Sequence, residues 1–158
     1  MNAAPKSPFR HRNLPLLLLR AREALMQQFR PFLTEQGLTD QQWRVVRALA
    51  EAHPQPLEPR QIGELCLISS PSLAGMLARM EGLGLVARQR MENDQRRVAV
   101  KLTPKARRIA VRVAEQAEGR YQALEAAIGV DLMHQVVDAL DALAAGLQPA
   151  ALDEAGEG

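Results

Sequence analysis

Apolar residues recur every three or four positions over the first part of the chain, which is the period of one face of an α-helix. The pattern begins after Asn13, a residue that can cap a helix, and Pro15 suits the first helical turn. Gly37 ends it, since glycine readily adopts the left-handed conformation that closes many helices. The sequence therefore predicts a helix over 13–36. Its apolar positions are Leu14, Leu18, Leu25, Met26, Phe29 and Leu33.

Three shorter helices follow, and the first two are delimited by capping residues and prolines. Thr39 and Gln42 fit a capping box, in which each side chain hydrogen-bonds the backbone N–H of the other residue. This helix runs to about Ala52, because the prolines that follow cannot continue it. The next helix covers about 58–67. Its predicted buried residues are Ile62, Leu65 and Cys66.

The third of these helices has two different faces. Ser69 or Ser70 caps it, Pro71 lies in its first turn, and Gly82 and Gly84 close it. One face follows the i, i+3, i+4, i+7 rule and is predicted to be buried through Leu73, Met76, Leu77 and Met80. The opposite face carries small and polar residues that leave room for a close approach, namely Ser70, Ser72, Gly75 and Arg79.

A β-hairpin is predicted after this helix. The stretch RMENDQRRVAVKLT, from Arg90 to Thr103, ends in alternating apolar and polar residues, which is the period of a half-buried strand. Asn93 and Asp94 tolerate the tight turn of a hairpin tip. The residues expected on one side of the second strand are Val98, Val100 and Leu102.

Two helices complete the predicted architecture. Thr103 opens a fifth helix that reaches about Ile128, and Asp131 caps a sixth. The sixth carries a narrow apolar stripe like that of a coiled coil, which requires a partner helix. We therefore expect the helices over 13–36 and 104–147 to form a homodimer. The stripe consists of Leu132, Val136, Leu140, Leu143 and Leu147.

Composition indicates one soluble domain over residues 1–158. With 47% hydrophobic and 24% charged residues the chain resembles a globular protein, and no apolar run approaches the roughly 18 residues of a membrane helix. The N-terminal segment lacks the pattern of a secretory signal, so the cytoplasm is the expected location. The acidic end, 148–158, contains Pro and Gly and is expected to be disordered.

The net charge of +2 is unevenly distributed along the chain. Residues 88–112 carry 9 basic and 2 acidic side chains, whereas residues 113–158 carry 1 basic and 9 acidic side chains. A basic block of this density indicates either a polyanionic partner or a solvated basic face. One cysteine and three widely separated histidines predict no metal site, and we expect no cofactor.

Three short helices followed by a hairpin describe a winged helix-turn-helix over 39–103, in a mainly α fold with one small β-hairpin. In that arrangement the second helix of the motif enters the major groove of double-stranded DNA, and the basic hairpin, the wing, reaches a neighbouring minor groove. We expect Asp94 to orient an arginine of the wing by a charge-assisted bond. The predicted DNA-binding residues are Ser69, Ser70, Pro71, Ser72, Gly75, Arg79, Asp94, Gln95, Arg96 and Arg97.

The run LARMEGLGLVARQRMENDQRRVAVKLT resembles the signature of the MarR family of bacterial regulators. That signature reads approximately L-E-x-x-G-L-V-x-R, then D-x-R, then V-x-L-T. Met80 and Ala106 stand where leucine and glycine are usual. The resemblance implies a dimeric regulator that binds a pseudo-palindromic operator. The matching residues are Glu81, Gly84, Leu85, Val86, Arg88, Asp94, Arg96, Val100, Leu102 and Thr103.

Residues 12–49 are similar, within that family, to the regulators of homoprotocatechuate (3,4-dihydroxyphenylacetate) degradation operons, the HpaR type. This resemblance implies a repressor that leaves its operator when a small aromatic acid binds. The acid could stack on Trp43 while Arg20 or Arg22 pairs its carboxylate, or Trp43 could be a core residue beside surface arginines. The predicted effector-binding residues are Arg20, Arg22, Met26, Trp43 and Cys66.

Redox sensing, catalysis and constitutive DNA binding are the alternative functions. Some MarR relatives sense peroxides through a cysteine near the first helix, whereas Cys66 lies on the apolar stripe of the third, which favours a buried thiol over a redox switch. Cys66 with His53 is the only conceivable catalytic pair and has no third member, so no enzyme is predicted. A constitutive DNA-binding protein without an effector also fits the DNA-binding motif.

Overall fold

The computed structural model describes residues 9–91 and 94–147, except for the side chain of Gln95. This part of the chain is mainly helical with one two-stranded antiparallel sheet, which confirms the predicted fold class. The predictions for Asn93, for the side chain of Gln95 and for 148–158 lie outside the described residues. The elements are α1 (Leu14–Glu35), α2 (Asp40–Ala52), α3 (Pro59–Cys66), α4 (Ser70–Gly82), β1 (Val86–Met91), β2 (Asp94–Leu102), α5 (Pro104–Ile128) and α6 (Val130–Gly146).

The residues predicted to cap α1 and α2 do so. The Asn13 side chain accepts a hydrogen bond from the backbone N–H of Leu16 at 3.0 Å, and Gly37 follows α1 with a φ of +70°. Thr39 N donates to the Gln42 side chain at 3.0 Å, and Gln42 N donates to Thr39 Oγ1 at 3.2 Å. These bonds satisfy donors that the first turn of a helix otherwise leaves without partners, so they fix where α1 and α2 begin.

One arginine connects α1 to α2. Arg30 donates to both carboxylate oxygens of Glu23, on the same helix, at 2.5 and 2.9 Å. It also donates to Oδ2 of Asp40, the first residue of α2, at 3.0 and 3.2 Å. Hydrogen bonds to Glu23 and Asp40 raise the pKa of Arg30 above its usual value. The guanidinium therefore holds the start of α2 against α1.

The chain divides after Gln116 into two compact units, and the core lies in the first. The predicted apolar face of α4 is buried there, with Leu77 at 1% exposure and Met80 at 0%. The other residues of this core come from the remaining helices of the first unit and from the hairpin. The largest fully buried side chains are Leu33, Val45, Val46, Ile62, Leu77, Met80, Val100 and Val113.

The second unit begins at Ala117 and contains the end of α5 and the whole of α6. No residue of α6, every one of which is described, is buried. Leu132, Val136 and Leu140 of the predicted stripe are 48%, 43% and 44% exposed in the single chain. No helix in the described part of the chain has the length and apolarity needed to cross a membrane.

Two predictions about the helices were wrong. Leu65 is 65% exposed, because α3 buries a narrow stripe through Ile62 and Cys66 and each step along a helix turns the side chain by about 100°. Helix α6 begins at Val130 with Gly129 as its cap, since Gly129 has a φ of +91°, a conformation that suits glycine. Asp131 lies in the first turn instead, where a carboxylate interacts favourably with the helix dipole.

The hairpin is regular near the core and irregular towards its tip. Pairing between β1 and β2 runs from Val86 with Leu102 to Arg90 with Val98, after which the register shifts. Val100 and Leu102 are buried as predicted, but Val98 is 37% exposed, because the regular pairing ends there. Residues 95–97 fall within this irregularity of the register.

A third extended segment fastens the hairpin to the helices. Leu57 lies just before α3 and forms an antiparallel bridge with Val100 of β2. Leu57 N donates to Val100 O at 3.0 Å, and Val100 N donates to Leu57 O at 2.7 Å. Strand β2 is therefore held by β1 on one edge and by Leu57 on the other, which fixes the wing relative to α3.

Candidate nucleic-acid interface and effector residues

The N-terminal half of α4 presents a small, polar surface. Ser70, Pro71 and Ser72 are exposed. The hydroxyl of Ser69, the N-cap residue, lies 3.0 Å from the hydroxyl of Ser72. Because the first N–H groups of a helix have no partner within the helix, this end also offers backbone donors to an anion. The predicted contact residues of α4 therefore share one accessible surface.

Gly75 and Arg79 extend this surface along α4. Both residues are exposed. A Cβ added at Gly75 would meet only the Arg79 guanidinium within 4 Å, with Nη1 at 3.6 Å. The opposite face of the helix is anchored in the core through Leu77 and Met80, so the open face is held at a fixed orientation. A flat, open helix face of this kind permits another molecule to approach the backbone closely.

The turn between α3 and α4 is tightly constrained. Leu67 adopts the left-handed conformation with a φ of 51°, and Ile68 N donates to Gly63 O at 3.0 Å. A Cβ added at Gly63 would lie 3.1 Å from Ile68 O, so a larger residue there would push the turn apart. This turn sets the angle between the two helices of the helix-turn-helix.

Asp94 supports the wing in a different way from the one predicted. Its Oδ1 accepts a hydrogen bond from the backbone N–H of Arg96 at 2.9 Å, rather than from a guanidinium. Asp commonly bonds the backbone two residues along in a turn, because its side chain is short enough to reach it. The side chain of Arg96 is exposed.

The next arginine is held by a helix. Arg97 of β2 forms an ion pair with Glu58, the N-cap residue of α3. The backbone N–H of Glu58 donates to the Gln61 side chain at 2.8 Å, which holds Glu58 in place. The Glu58 side chain is 27% exposed and that of Arg97 is 56% exposed. The two adjacent arginines of the wing therefore have different surroundings.

Several residues of the run that resembles the MarR signature make contacts that stabilise the fold. Arg88 of β1 pairs with Glu81 of α4 at 3.3 Å. Gly84 has a φ of +67°, which favours glycine. Thr103 Oγ1 donates to Gly84 O at 2.7 Å and accepts from Ala106 N at 3.2 Å. These contacts join the end of α4, the first strand and the start of α5.

The predicted effector residues lie on three helices. Arg20 and Arg22 are exposed on α1, and Met26 is half-buried on the same helix. Trp43 is half-buried on α2, and Cys66 is buried at the end of α3. Arg44, which follows Trp43 on α2, donates a hydrogen bond to the backbone carbonyl of Cys66. None of the described hydrogen bonds joins Trp43 to Arg20 or Arg22.

Arg44 is a candidate that the sequence prediction missed. Its Nη1 donates to Cys66 O at 2.5 Å, while its Nε is buried without a hydrogen-bond partner among the described residues. Burial raises the pKa of the Cys66 thiol, and the nearby charge of Arg44 opposes that rise. The sequence feature that could have indicated Arg44 is its position as a basic residue directly after Trp43. Arg44 and Cys66 line an open cleft of about 400 Å³ with Arg47, Ala48, Glu51, Ala52 and Leu65.

Comparison with known proteins identifies the family. A model of the MarR family matches residues 36–97. The HTH-type transcriptional regulator FarR of Neisseria gonorrhoeae is 42% identical over 135 residues, which cover 85% of this chain and 91% of FarR. The chain belongs to the MarR family. The resemblance found in the sequence from Met80 to Thr103 is thereby confirmed.

Two further similarities lie within the MarR family. The homoprotocatechuate degradative operon repressor of Escherichia coli is 39% identical over 131 residues, which cover 83% of this chain and 87% of that repressor. The crystal structure of NadR in complex with 4-hydroxyphenylacetate superimposes with a TM-score of 0.77 at 40% identity and covers 89% of this chain and 98% of NadR.

Among the described residues, no group of three or more His, Cys, Asp or Glu side chains could hold a metal ion.

Proposed function

We propose that the protein is a transcriptional repressor of an aromatic-acid catabolic operon. It binds a pseudo-palindromic operator as a homodimer and leaves the operator when a small aromatic carboxylate binds. We place it in the cytoplasm and assign it no enzymatic role and no cofactor. The observation that carries the proposal is the agreement of two near-full-length similarities, one to a homoprotocatechuate operon repressor and one to NadR in complex with 4-hydroxyphenylacetate.

For DNA binding we assign different roles to α4 and to the wing. The N-terminal residues of a recognition helix contact base edges in the major groove, so Ser70 and Ser72 would set the preferred sequence. Arg79 and Arg96 would contact phosphates, which position the protein and supply salt-dependent affinity. In a two-fold dimer the recognition helices would lie about 34 Å apart and read half-sites one helical turn apart.

For effector binding we assign Trp43 to the aromatic ring and an arginine to the carboxylate. Arg20 and Arg22 are the candidates from the sequence. Arg44 is a further candidate, since its Nε is buried with no hydrogen-bond partner in the described part of the chain and it lines a cleft beside Cys66. A buried N–H donor without a partner is costly, and a carboxylate oxygen could accept from it.

Release requires that the acid prefer one arrangement of the dimer over the other. A ligand that binds both arrangements equally shifts nothing, however tightly it binds. A coupling of about 1 to 3 kcal/mol corresponds to a loss of operator affinity of roughly 5- to 150-fold. Linkage requires operator DNA to weaken effector binding by the same factor.

The proposal is tested by titrating operator binding with aromatic acids. A duplex that the protein selects from randomised DNA is labelled, and its Kd is measured by fluorescence anisotropy with and without 4-hydroxyphenylacetate. We expect the acid to raise the Kd by roughly 5- to 150-fold. The matched control is 2-(4-hydroxyphenyl)ethanol, which keeps the ring and lacks the carboxylate, and which should leave the Kd unchanged.

Variants then identify the carboxylate partner. Arg22→Ala should remove the response to the acid while operator binding stays nearly intact, and Arg60→Ala, at an exposed arginine of α3, should change neither. Should Arg22→Ala still be released at the same acid concentration, the assignment passes to Arg20 or Arg44. If no aromatic acid releases the wild type, the constitutive alternative holds; release by a hydroperoxide that is lost in Cys66→Ala supports the redox alternative.

A further inference from the structure

Arg96 and Arg97 are adjacent in β2 and are not equivalent. Both lie in β2 within the irregular part of its register, and their side chains have different surroundings. Arg96 is exposed and its backbone is fixed by Asp94. Arg97 is paired with Glu58, which lies 39 residues earlier in the chain.

The backbone explains why Glu58 reaches Arg97. Leu57 and Val100 exchange both backbone hydrogen bonds in an antiparallel bridge. Continuing that register places Glu58 beside Ala99, and Arg97 lies two residues from Ala99 along β2. Diagonal neighbours across an antiparallel pair lie within reach of long side chains. The ion pair therefore continues the attachment of β2 to the segment before α3.

The ion pair attaches β2 to α3 at residues that lack regular pairing with β1. Residues 95–97 fall in the irregular part of the register between β1 and β2. Glu58 is itself fixed, since it is the N-cap of α3 and its N–H donates to Gln61. To contact a phosphate, Arg97 would have to leave a carboxylate for another anion, an exchange that yields little net attraction.

We propose that Glu58 and Arg97, the wing ion pair, position the wing, so that Arg97 is a positioning residue and Arg96 supplies the phosphate contact. The inference rests on the proposed DNA-binding function. It reassigns Arg97, which the sequence predicts as a direct DNA contact, and it gives a role to Glu58, which the sequence did not single out.

The salt dependence of operator binding separates the two arginines. Each phosphate contact contributes about 0.9 to the slope of log K against log salt concentration. Arg96→Ala should therefore reduce the magnitude of the slope by about 0.9. Arg97→Ala should weaken binding by roughly two- to five-fold, the size of an exposed ion pair, and leave the slope unchanged. A reduced slope in Arg97→Ala would overturn the proposal.

A charge exchange provides the second test. Arg97→Glu alone should weaken binding strongly, and Glu58→Arg added to it should restore the affinity to within about three-fold of the wild type, because the pair is re-formed in reverse. Arg97→Lys should retain most of the affinity. The matched control is Arg60→Glu with and without Glu64→Arg, an exposed pair on α3 that should change binding little in either form. A double variant as weak as Arg97→Glu contradicts the proposal.

A measurement on the free protein keeps the inference independent of the operator. Amide hydrogen exchange over 94–98 should be faster in Arg97→Ala and in Glu58→Gln than in the wild type, while exchange in the core of α4 stays the same. Unchanged exchange in both variants overturns the wing ion pair. Failure of the wild type to select any duplex from randomised DNA overturns the proposed function instead.

Discussion

At Gly75 of α4, glycine lowers the stability of the helix but favours the proposed DNA binding. Glycine inside a helix costs roughly 0.5 to 1 kcal/mol relative to alanine. The space around Gly75 would accept a side chain, since a Cβ there would meet only Arg79 Nη1 within 4 Å, at 3.6 Å. Close approach of DNA to the helix backbone is a physical reason for glycine at this exposed position.

Replacing Gly75 with glutamine should therefore stabilise the fold and impair DNA binding. We expect Gly75→Gln to raise the free energy of unfolding by about 0.5 to 1 kcal/mol, and to weaken operator binding by at least about tenfold because the side chain stands between α4 and the DNA. Urea denaturation and fluorescence anisotropy measure the two effects. Gly82→Gln, at the far end of α4, is the matched control and should leave operator binding unchanged. Wild-type affinity in Gly75→Gln would remove this helix face from the interface.

Cys66 should behave as a buried thiol rather than as a reactive one. Burial raises its pKa, so the neutral form is favoured in the folded chain. A raised folded-state pKa contributes stability that is present below the unfolded-state pKa and is lost as the pH rises through the folded-state value. We expect a thiol reagent to modify the native protein more than about tenfold more slowly than the urea-unfolded chain at the same pH. Equal rates would favour the redox alternative.

Single residues were predictable from the sequence where the local pattern decides their surroundings. Ile62 and Cys66 share one helix face, and both are buried as expected. Leu65 was misplaced, because the stripe that an eight-residue helix buries is narrower than the apolar face of its sequence. Arg44 could not be assigned, since its contact with Cys66 joins two helices through residues that lie 22 positions apart in the sequence.

The starts of α1 and α2 were predictable because the capping of a helix depends on residues that are close in the sequence. Asn13, Thr39 and Gln42 act on backbone groups within one turn, so the sequence carries the signal within a few positions. The pairing of Glu58 with Arg97 depends on a contact across 39 residues, for which a single sequence holds no comparable signal. The wing was therefore predicted as an element, and the support of its tip was not.

Thr103 connects three elements, which gives its hydroxyl a measurable role. It donates to Gly84 O at 2.7 Å and caps α5 by accepting from Ala106 N at 3.2 Å. Thr103→Val keeps the shape and removes both bonds, so we expect a loss of about 1 to 2 kcal/mol in the free energy of unfolding, measured by urea denaturation. Thr103→Ser keeps the hydroxyl and should lose much less. Similar losses in both variants would mean that the methyl group, and not the cap, matters.

The assembly of the whole molecule was predicted from one apolar stripe. No residue of α6 is buried in the single chain, and Leu140 lies near the middle of the stripe at 44% exposure. An exposed apolar surface that repeats along a helix is typical of an interface between chains. The family and fold followed from a local signature, whereas the proposed effector residues lie far apart in the sequence and have no such signature.

A charge in the stripe should separate the protomers. We expect Leu140→Glu to give a monomer by light scattering at micromolar concentration, because a carboxylate in an apolar interface loses its hydration without a partner. Operator binding should weaken sharply, since the two half-sites are then no longer bound by linked recognition helices. Ala142→Glu, about 200° around the helix from Leu140, adds the same charge and should remain a dimer. A dimeric Leu140→Glu protein would exclude the stripe from the interface.

Arg30 of α1 donates both to Glu23 of its own helix and to Asp40 of α2, and the pair with Glu23 is sensitive to acid. Hydrogen bonds to Glu23 and Asp40 raise the pKa of Arg30, so the guanidinium stays charged in neutral and acidic solution. Its hydrogen bond lowers the pKa of Glu23, and a lowered folded-state pKa contributes stability that is present above the unfolded-state pKa and lost as the pH falls through the folded-state value. Acidification therefore weakens the pair within α1 that holds the Arg30 side chain, the same side chain that donates to Asp40 at the start of α2.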